Sequence, residues 1–237
     1  MSHPLSSFDR VAIINLPERA DRRRETTAEI ERIGGFDGGR IEFVDAYRPA
    51  DPGPFPSIGA RGCFMSQLSV LQQARADQVD RLLILEDDVQ FVPDFAARMA
   101  ALAPVIASGD CNIFYGAYTE PQRGNARGWA PIGAEQPLTT ASFIGFDRTT
   151  VARLVPFVEA MLERPAGSPD YGPMHVDGAY TVFRKLHPDV ITIAAVPPVS
   201  GQRSSRSNIT ESGMLLDRVP ALRGVGNALR RLRDRVR

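Results

Sequence analysis

The chain has 237 residues, with 28 basic and 28 acidic side chains and a formal net charge of zero, so no overall field draws it to nucleic acid. That length fits one large domain or two small ones. Cys63 and Cys111 show no CxxC or Cys/His spacing, and "MSHPLSSFDR" lacks the pattern of a secretory leader. Apolar runs such as "RLLIL" also fall far short of the roughly 20 residues of a spanning helix, so reduced thiols and a cytoplasmic protein are expected.

"VAIINL", Val11 to Leu16, is a continuous β-branched apolar run that suits a strand buried on both faces. The charged segment "PERADRRRETTAEIERIGG" follows, with Pro17 at a helix start, apolar points at Ala20, Ile30 and Ile33, and Gly34 and Gly35 as a stop. "IEFVDA" is a second strand, and the Pro/Gly-rich "YRPADPGPFPSIGARG" a loop. A helix is predicted from near Gly62, with Phe64, Leu68, Leu71 and Ala74 forming one buried stripe. "RLLIL" is the next strand, "VPDFAARMAALAPVIAS" a helix and "CNIFYGA" a strand. The second half is less regular. "ASFIGFD" is predicted as strand, "RTTVARLVPFVEAMLE" as helix, "RPAGSPDYGP" as loop, "HVDGAYTVFRKL" as a short helix and "VITIAAVPP" as strand.

This alternation predicts an α/β fold, a largely parallel sheet flanked by helices, in a single domain over 1–210. The remaining tail, 211–237, repeats Val219, Leu222, Val225, Leu229, Leu232 and Val236 between arginines. Such a basic amphipathic segment suits either the surface of an anionic membrane or a solvated terminal helix weakened by Gly224 and Gly226.

Chemistry concentrates at Glu86, Asp87 and Asp88, directly behind Leu82 to Leu85. Ligands of open α/β sheets bind beyond the carboxyl ends of the strands. If extended geometry persists, Glu86 and Asp88 project to one side, a spacing that suits Mg²⁺ or Mn²⁺ held by two carboxylates plus phosphate and water. The alternatives are a solvated turn and an aspartyl phosphatase. The phosphatase pattern needs Asp where Glu86 stands, and a receiver domain needs acids from separated strands. Arg19, Arg22, Arg23 and Arg24 crowd a predicted helix start, where the macrodipole disfavours cations, so a bound phosphate would relieve a conflict that Glu18, Asp21 and Glu25 already reduce. Asp177 is a candidate ligand-facing acid or a helix N-cap. "GQRSSRSNI", Gly201 to Ile209, is either a ligand loop or a disordered turn.

Taken in order, "VAIINLPERADRR", "GARGCFMSQLSVLQQA" and "RLLILEDDV" resemble glycosyltransferase family 25, the bacterial lipopolysaccharide and lipooligosaccharide transferases related to the collagen galactosyltransferases. The resemblance runs from about Val11 to Ile209 and is most specific at the acidic motif. It implies a GT-A-like (Rossmann-like) fold, a nucleotide-sugar donor such as a UDP-sugar, a saccharide or lipid-linked saccharide acceptor, and Mn²⁺ or Mg²⁺. By position, Asp88 becomes the main metal ligand with Glu86 beside it, and Asp87 a contact to the metal or the donor ribose. Asn15, Leu16, Arg19 and Arg23 line the nucleotide pocket, and Asp45, Gln202 and Ser204 complete the donor-binding set.

Two positions depart from the family pattern. Ala60 stands where an acid is usual, and Gln67 where a His follows the Ser. Either departure would suit an altered acceptor or a non-catalytic nucleotide- or carbohydrate-binding module. The resemblance also implies inversion at the sugar carbon, which needs a base for the acceptor hydroxyl. Asp177 is the first candidate, with His175 and Asp170 in reserve. The tail would bring the enzyme to the inner face of the inner membrane, where a lipid-linked acceptor resides.

Overall fold

A computed structural model describes residues 2–119 and 128–203. Its elements run β1 (Arg10–Asn15), α1 (Ala20–Arg32), β2 (Ile41–Asp45), α2 (Ile58–Ala76), β3 (Arg81–Glu86), β4 (Val89–Phe91), α3 (Phe95–Ala107) and β5 (Ile113–Tyr115). There follow β6 (Gly128–Ile132), β7 (Phe143–Asp147), α4 (Arg148–Leu162), α5 (Val176–Leu186), β8 (Thr192–Val196) and β9 (Ser200–Gln202). The main sheet has seven strands in the order β2-β1-β3-β7-β5-β8-β6, and a two-stranded ribbon joins β4 to β9. Strands β7 and β6 run against the other five, so the sheet is mixed but largely parallel.

Strand β3 lies inside the sheet, paired with β1 on one side and β7 on the other. Its aliphatic run serves both faces because side chains alternate along extended backbone. Leu82 and Ile84 enter the core beneath α2, α4 and α5, whereas Leu83 and Leu85 enter the core shared with α1 and α3. All four are fully buried. A glycine lets another element approach: a Cβ on Gly145 of β7 would lie 2.6 Å from the Phe8 ring.

Several local expectations are corrected. Helix α2 begins at Ile58, one turn before Gly62, because the Ser57 hydroxyl accepts from the Ala60 N–H and caps it. The stripe of Phe64, Leu68, Leu71 and Ala74 is buried as predicted. In α1, Ala20 is exposed, and the inward face runs instead through Arg22, Thr26, Ile30 and Ile33, spaced for one side of a helix. Helix α5 has His175 at its N-cap position and Asp177 inside its first turn, so Asp177 is not the cap. Gly201 and Gln202 belong to β9 rather than to a loop, held by backbone pairing with β4.

Ser204 and the tail 211–237 lie outside the described residues, as does the expected domain boundary at 210. Cys63 and Cys111 are free thiols, and no helix among the described residues is long and apolar enough to cross a membrane.

Candidate active site

Parallel β1, β2 and β3 bring their carboxyl ends together. Asn15 of β1 pairs in register with Asp45 of β2, and Ile14 with Glu86 of β3. The chain turns sharply after Glu86, because β4 starts at Val89. Asp87 and Asp88 form that turn, and the three acids have different surroundings.

Asp87 is 6% exposed and fully engaged. Its Oδ2 accepts from Asn15 Nδ2 at 2.7 Å and its Oδ1 from Arg22 at 2.7 Å. Its carbonyl accepts from the Thr26 hydroxyl at 2.6 Å and from Arg203 at 2.7 Å. Asp87 is thus the brace that fixes the turn to β1 and α1. Arg203 adds a backbone N–H to the Asp88 carbonyl at 2.7 Å and a side-chain bond to the Val89 carbonyl at 2.9 Å.

Asp88 is also buried, yet its Oδ1 has no hydrogen-bond partner, and its Oδ2 lies 3.7 Å from the Arg22 guanidinium. Burial, more than any neighbouring charge, pushes its carboxyl above the ordinary range. Burial, then the charges of Asp88 and Asp87, push Glu86 up to about 7. The two groups are close enough for each negative charge to burden the other.

An orphaned carboxylate oxygen and two mutually repelling acids are what a divalent cation would satisfy. Among the described residues no three His, Cys, Asp or Glu side chains form a group that could hold a metal ion by itself. A pair of carboxylates sharing the ion with phosphate oxygens therefore fits the available ligands better than a protein-only cage.

The remaining sequence candidates divide. Asn15 is 1% exposed and holds the brace, while its Oδ1 is left unpartnered. Gln202 donates to Glu86 Oε2 at 3.1 Å, which brings β9 to the acidic turn. Leu16 is half-buried just beyond β1, and Asp45 is exposed at the same edge of the sheet. Arg19 pairs with Asp21 at 2.8 Å, and Arg23 lies over the Phe43 ring at 4.4 Å. The guanidinium that meets the acids is Arg22's.

Asp177 is half-buried, and its Oδ2 accepts from the Thr140 N–H at 3.4 Å. It is near enough to raise the Cys63 thiol, after burial and Glu86, which puts it at the same end of the sheet as the acids. His175 and Asp170 are exposed. Ala60 is buried among the apolar side chains of the α2 core, a place hostile to an acid.

Arg22, singled out in the sequence only as one of four crowded arginines, Thr26, Arg203, which falls in the 201–209 candidate ligand loop, and Cys63 are site residues that received no individual role from the sequence. The first two share a helical face with Ile30, a pattern readable from spacing alone. Arg203 and Cys63 carry no comparable signal.

No protein-family model matches the chain. It is 30% identical over 113 residues to mouse procollagen galactosyltransferase 2, covering 40% of this chain and 18% of that protein. It is 30% identical over 125 residues to putative glycosyltransferase R655 of Acanthamoeba polyphaga mimivirus, covering 45% and 37%. Human inactive glycosyltransferase 25 family member 3 matches at 30% over 112 residues, covering 40% and 19%. The chain is similar to glycosyltransferase 25 family members.

It spans 18% to 37% of the length of these glycosyltransferase relatives. Among solved structures, a glycosyltransferase involved in the glycosylation of the major capsid of PBCV-1 aligns over 76% of this chain and 78% of its own. The identity is 14% and the TM-score 0.45.

Proposed function

We propose that the protein is a metal-dependent inverting glycosyltransferase of GT-A-like fold. It moves a sugar, a galactose or related hexose, from a UDP-sugar to a hydroxyl of a saccharide acceptor in lipopolysaccharide or other surface-glycan synthesis. The observation that carries this reading is Asp88, buried with an unpartnered Oδ1 beside Glu86 at the carboxyl end of an interior strand. The similarity to glycosyltransferases supplies the donor and acceptor classes.

Glu86 and Asp88 would hold Mn²⁺ or Mg²⁺. When bound, the cation supplies charge stabilisation for the departing nucleoside diphosphate. Arg22 sets the two aspartates through Asp87 and adds positive charge at the phosphate side. Asn15 holds Asp87 in place, so the turn does not relax when its charge is neutralised. Asp177 takes the proton of the acceptor hydroxyl. Its place in the first turn of α5, at the acidic end of the sheet, favours it over exposed His175 and Asp170.

The test is a screen of UDP-sugars for Mn²⁺-dependent hydrolysis or transfer by wild type and Asp88→Asn. Metal-stimulated turnover in wild type and its loss in the variant are expected. A non-catalytic sugar-nucleotide-binding module is the second reading, favoured by the commitment of Gln67 to a buried hydrogen bond and by the similarity to an inactive relative. It predicts Mn²⁺-dependent UDP binding with no turnover of any donor.

A further inference from the structure

A line of buried polar groups runs from α5 through α2 to the acidic turn. The Tyr180 hydroxyl meets Gln67 Oε1 at 2.7 Å, Gln67 Nε2 meets Cys63 Sγ at 3.7 Å, and Cys63 Sγ meets Glu86 Oε1 at 3.8 Å. Tyr180 and Gln67 are both 0% exposed, so solvent supplies none of these partners.

The direction of every bond follows from the acid end. With a cation bound, Glu86 is an ionised carboxylate that only accepts, so the Cys63 S–H donates to it. The sulfur is then left to accept, which requires Gln67 to present its N–H to the sulfur and its carbonyl to Tyr180. The tyrosine hydroxyl closes the series as donor. Gln202 donates to the other oxygen of the same carboxylate at 3.1 Å. Glu86 thus receives one donor on each oxygen, and both keep free lone pairs for a ligand.

We propose that Cys63, Gln67 and Tyr180 are positioning residues that aim the Glu86 carboxylate at the cation, a role that rests on the metal-dependent reading above. Groups that orient a ligating side chain govern metal affinity without touching the metal. The line also ties the acidic turn to the helix that carries Asp177, since Tyr180 lies one turn further along α5. Gln67 is suited to the central place because its amide both donates and accepts at fixed spacing.

The test uses the full chain and two measurements. The first is Mn²⁺ binding in the presence of UDP, followed by the electron paramagnetic resonance of free Mn²⁺. Cys63→Ala and Gln67→Met each weaken Mn²⁺ about tenfold. The double variant is no weaker than Cys63→Ala alone, because one break already severs the line. Leu71→Ala, a fully buried core change on the same helix, lowers the unfolding temperature but leaves Mn²⁺ affinity unchanged.

The second measurement is the infrared S–H stretch of the metal-free protein at a pH well above 7, where Glu86 is ionised, with the Cys63 band identified by its loss in Cys63→Ala. It shifts in Gln67→Met and in Glu86→Gln. Additive losses in the double variant, an equal loss in Leu71→Ala, or an unmoved S–H band overturn the proposal. A wild type that binds neither Mn²⁺ nor UDP sinks the metal-dependent reading instead, and the S–H band still decides whether the line orients Glu86.

Discussion

Asp87, Asp88 and Glu86 are neighbours in sequence with separate tasks. Asp87 and Arg22 form a shielded pair, their side chains 9% and 12% exposed. Removing one partner of such a pair leaves a poorly solvated charge, so Arg22→Met should cost about 3 kcal/mol of stability, measurable by chemical denaturation. Glu86 behaves differently. Its carboxyl is raised from an ordinary 4.5 to about 7, so between those values the folded chain holds a proton that the unfolded chain has released. Stability of the metal-free protein therefore falls as pH rises through that window, and Asp88, shifted in the same direction, adds to the slope. Thermal unfolding with a chelator should show the decline, and Glu86→Gln should flatten it. A wild-type stability that holds level or rises from pH 5 to 7, or falls no more steeply than the variant's, would contradict the assigned burial.

At the scale of elements, most of the fold was legible because the core strands are apolar runs and the helices carry one buried stripe. β1, β3 and β8 are nearly continuous aliphatic sequence, as interior strands require, and α2 announces its buried face at Phe64, Leu68 and Leu71. Three strands were hidden for physical reasons. β4 and β9 have three residues each, and β9 reads "SGQ", since backbone pairing rather than side-chain burial holds it. β6 contains Pro131, which a sheet tolerates at an edge, where β6 lies. The candidate site was legible at the acids, whose clustering is local. It was illegible where partners come from afar, as Cys63 and Arg203 do.

Close approach of elements also makes testable claims. Gly145→Ala would press a methyl onto the Phe8 ring and should destabilise the protein by about 1–3 kcal/mol. Ser57→Ala removes the α2 cap and should cost about 1 kcal/mol. Equilibrium unfolding of both variants checks the pair.

For the whole molecule, three parallel strands direct their carboxyl ends to one edge, and the ribbon of β4 and β9 returns Gln202 and Arg203 to the same place. The basic pattern of 211–237 predicts attachment to anionic lipid, so deletion of those residues should reduce binding to phosphatidylglycerol vesicles. Equal sedimentation of full-length and shortened chains would remove that expectation. The central claim is that Glu86 and Asp88 bind a cation together with a diphosphate. Calorimetric titration of UDP into wild type and Asp88→Asn, with and without Mn²⁺, tests it most directly. The account predicts UDP binding that needs Mn²⁺ in wild type and is lost in a folded Asp88→Asn, and UDP binding that ignores both the metal and the substitution would contradict it.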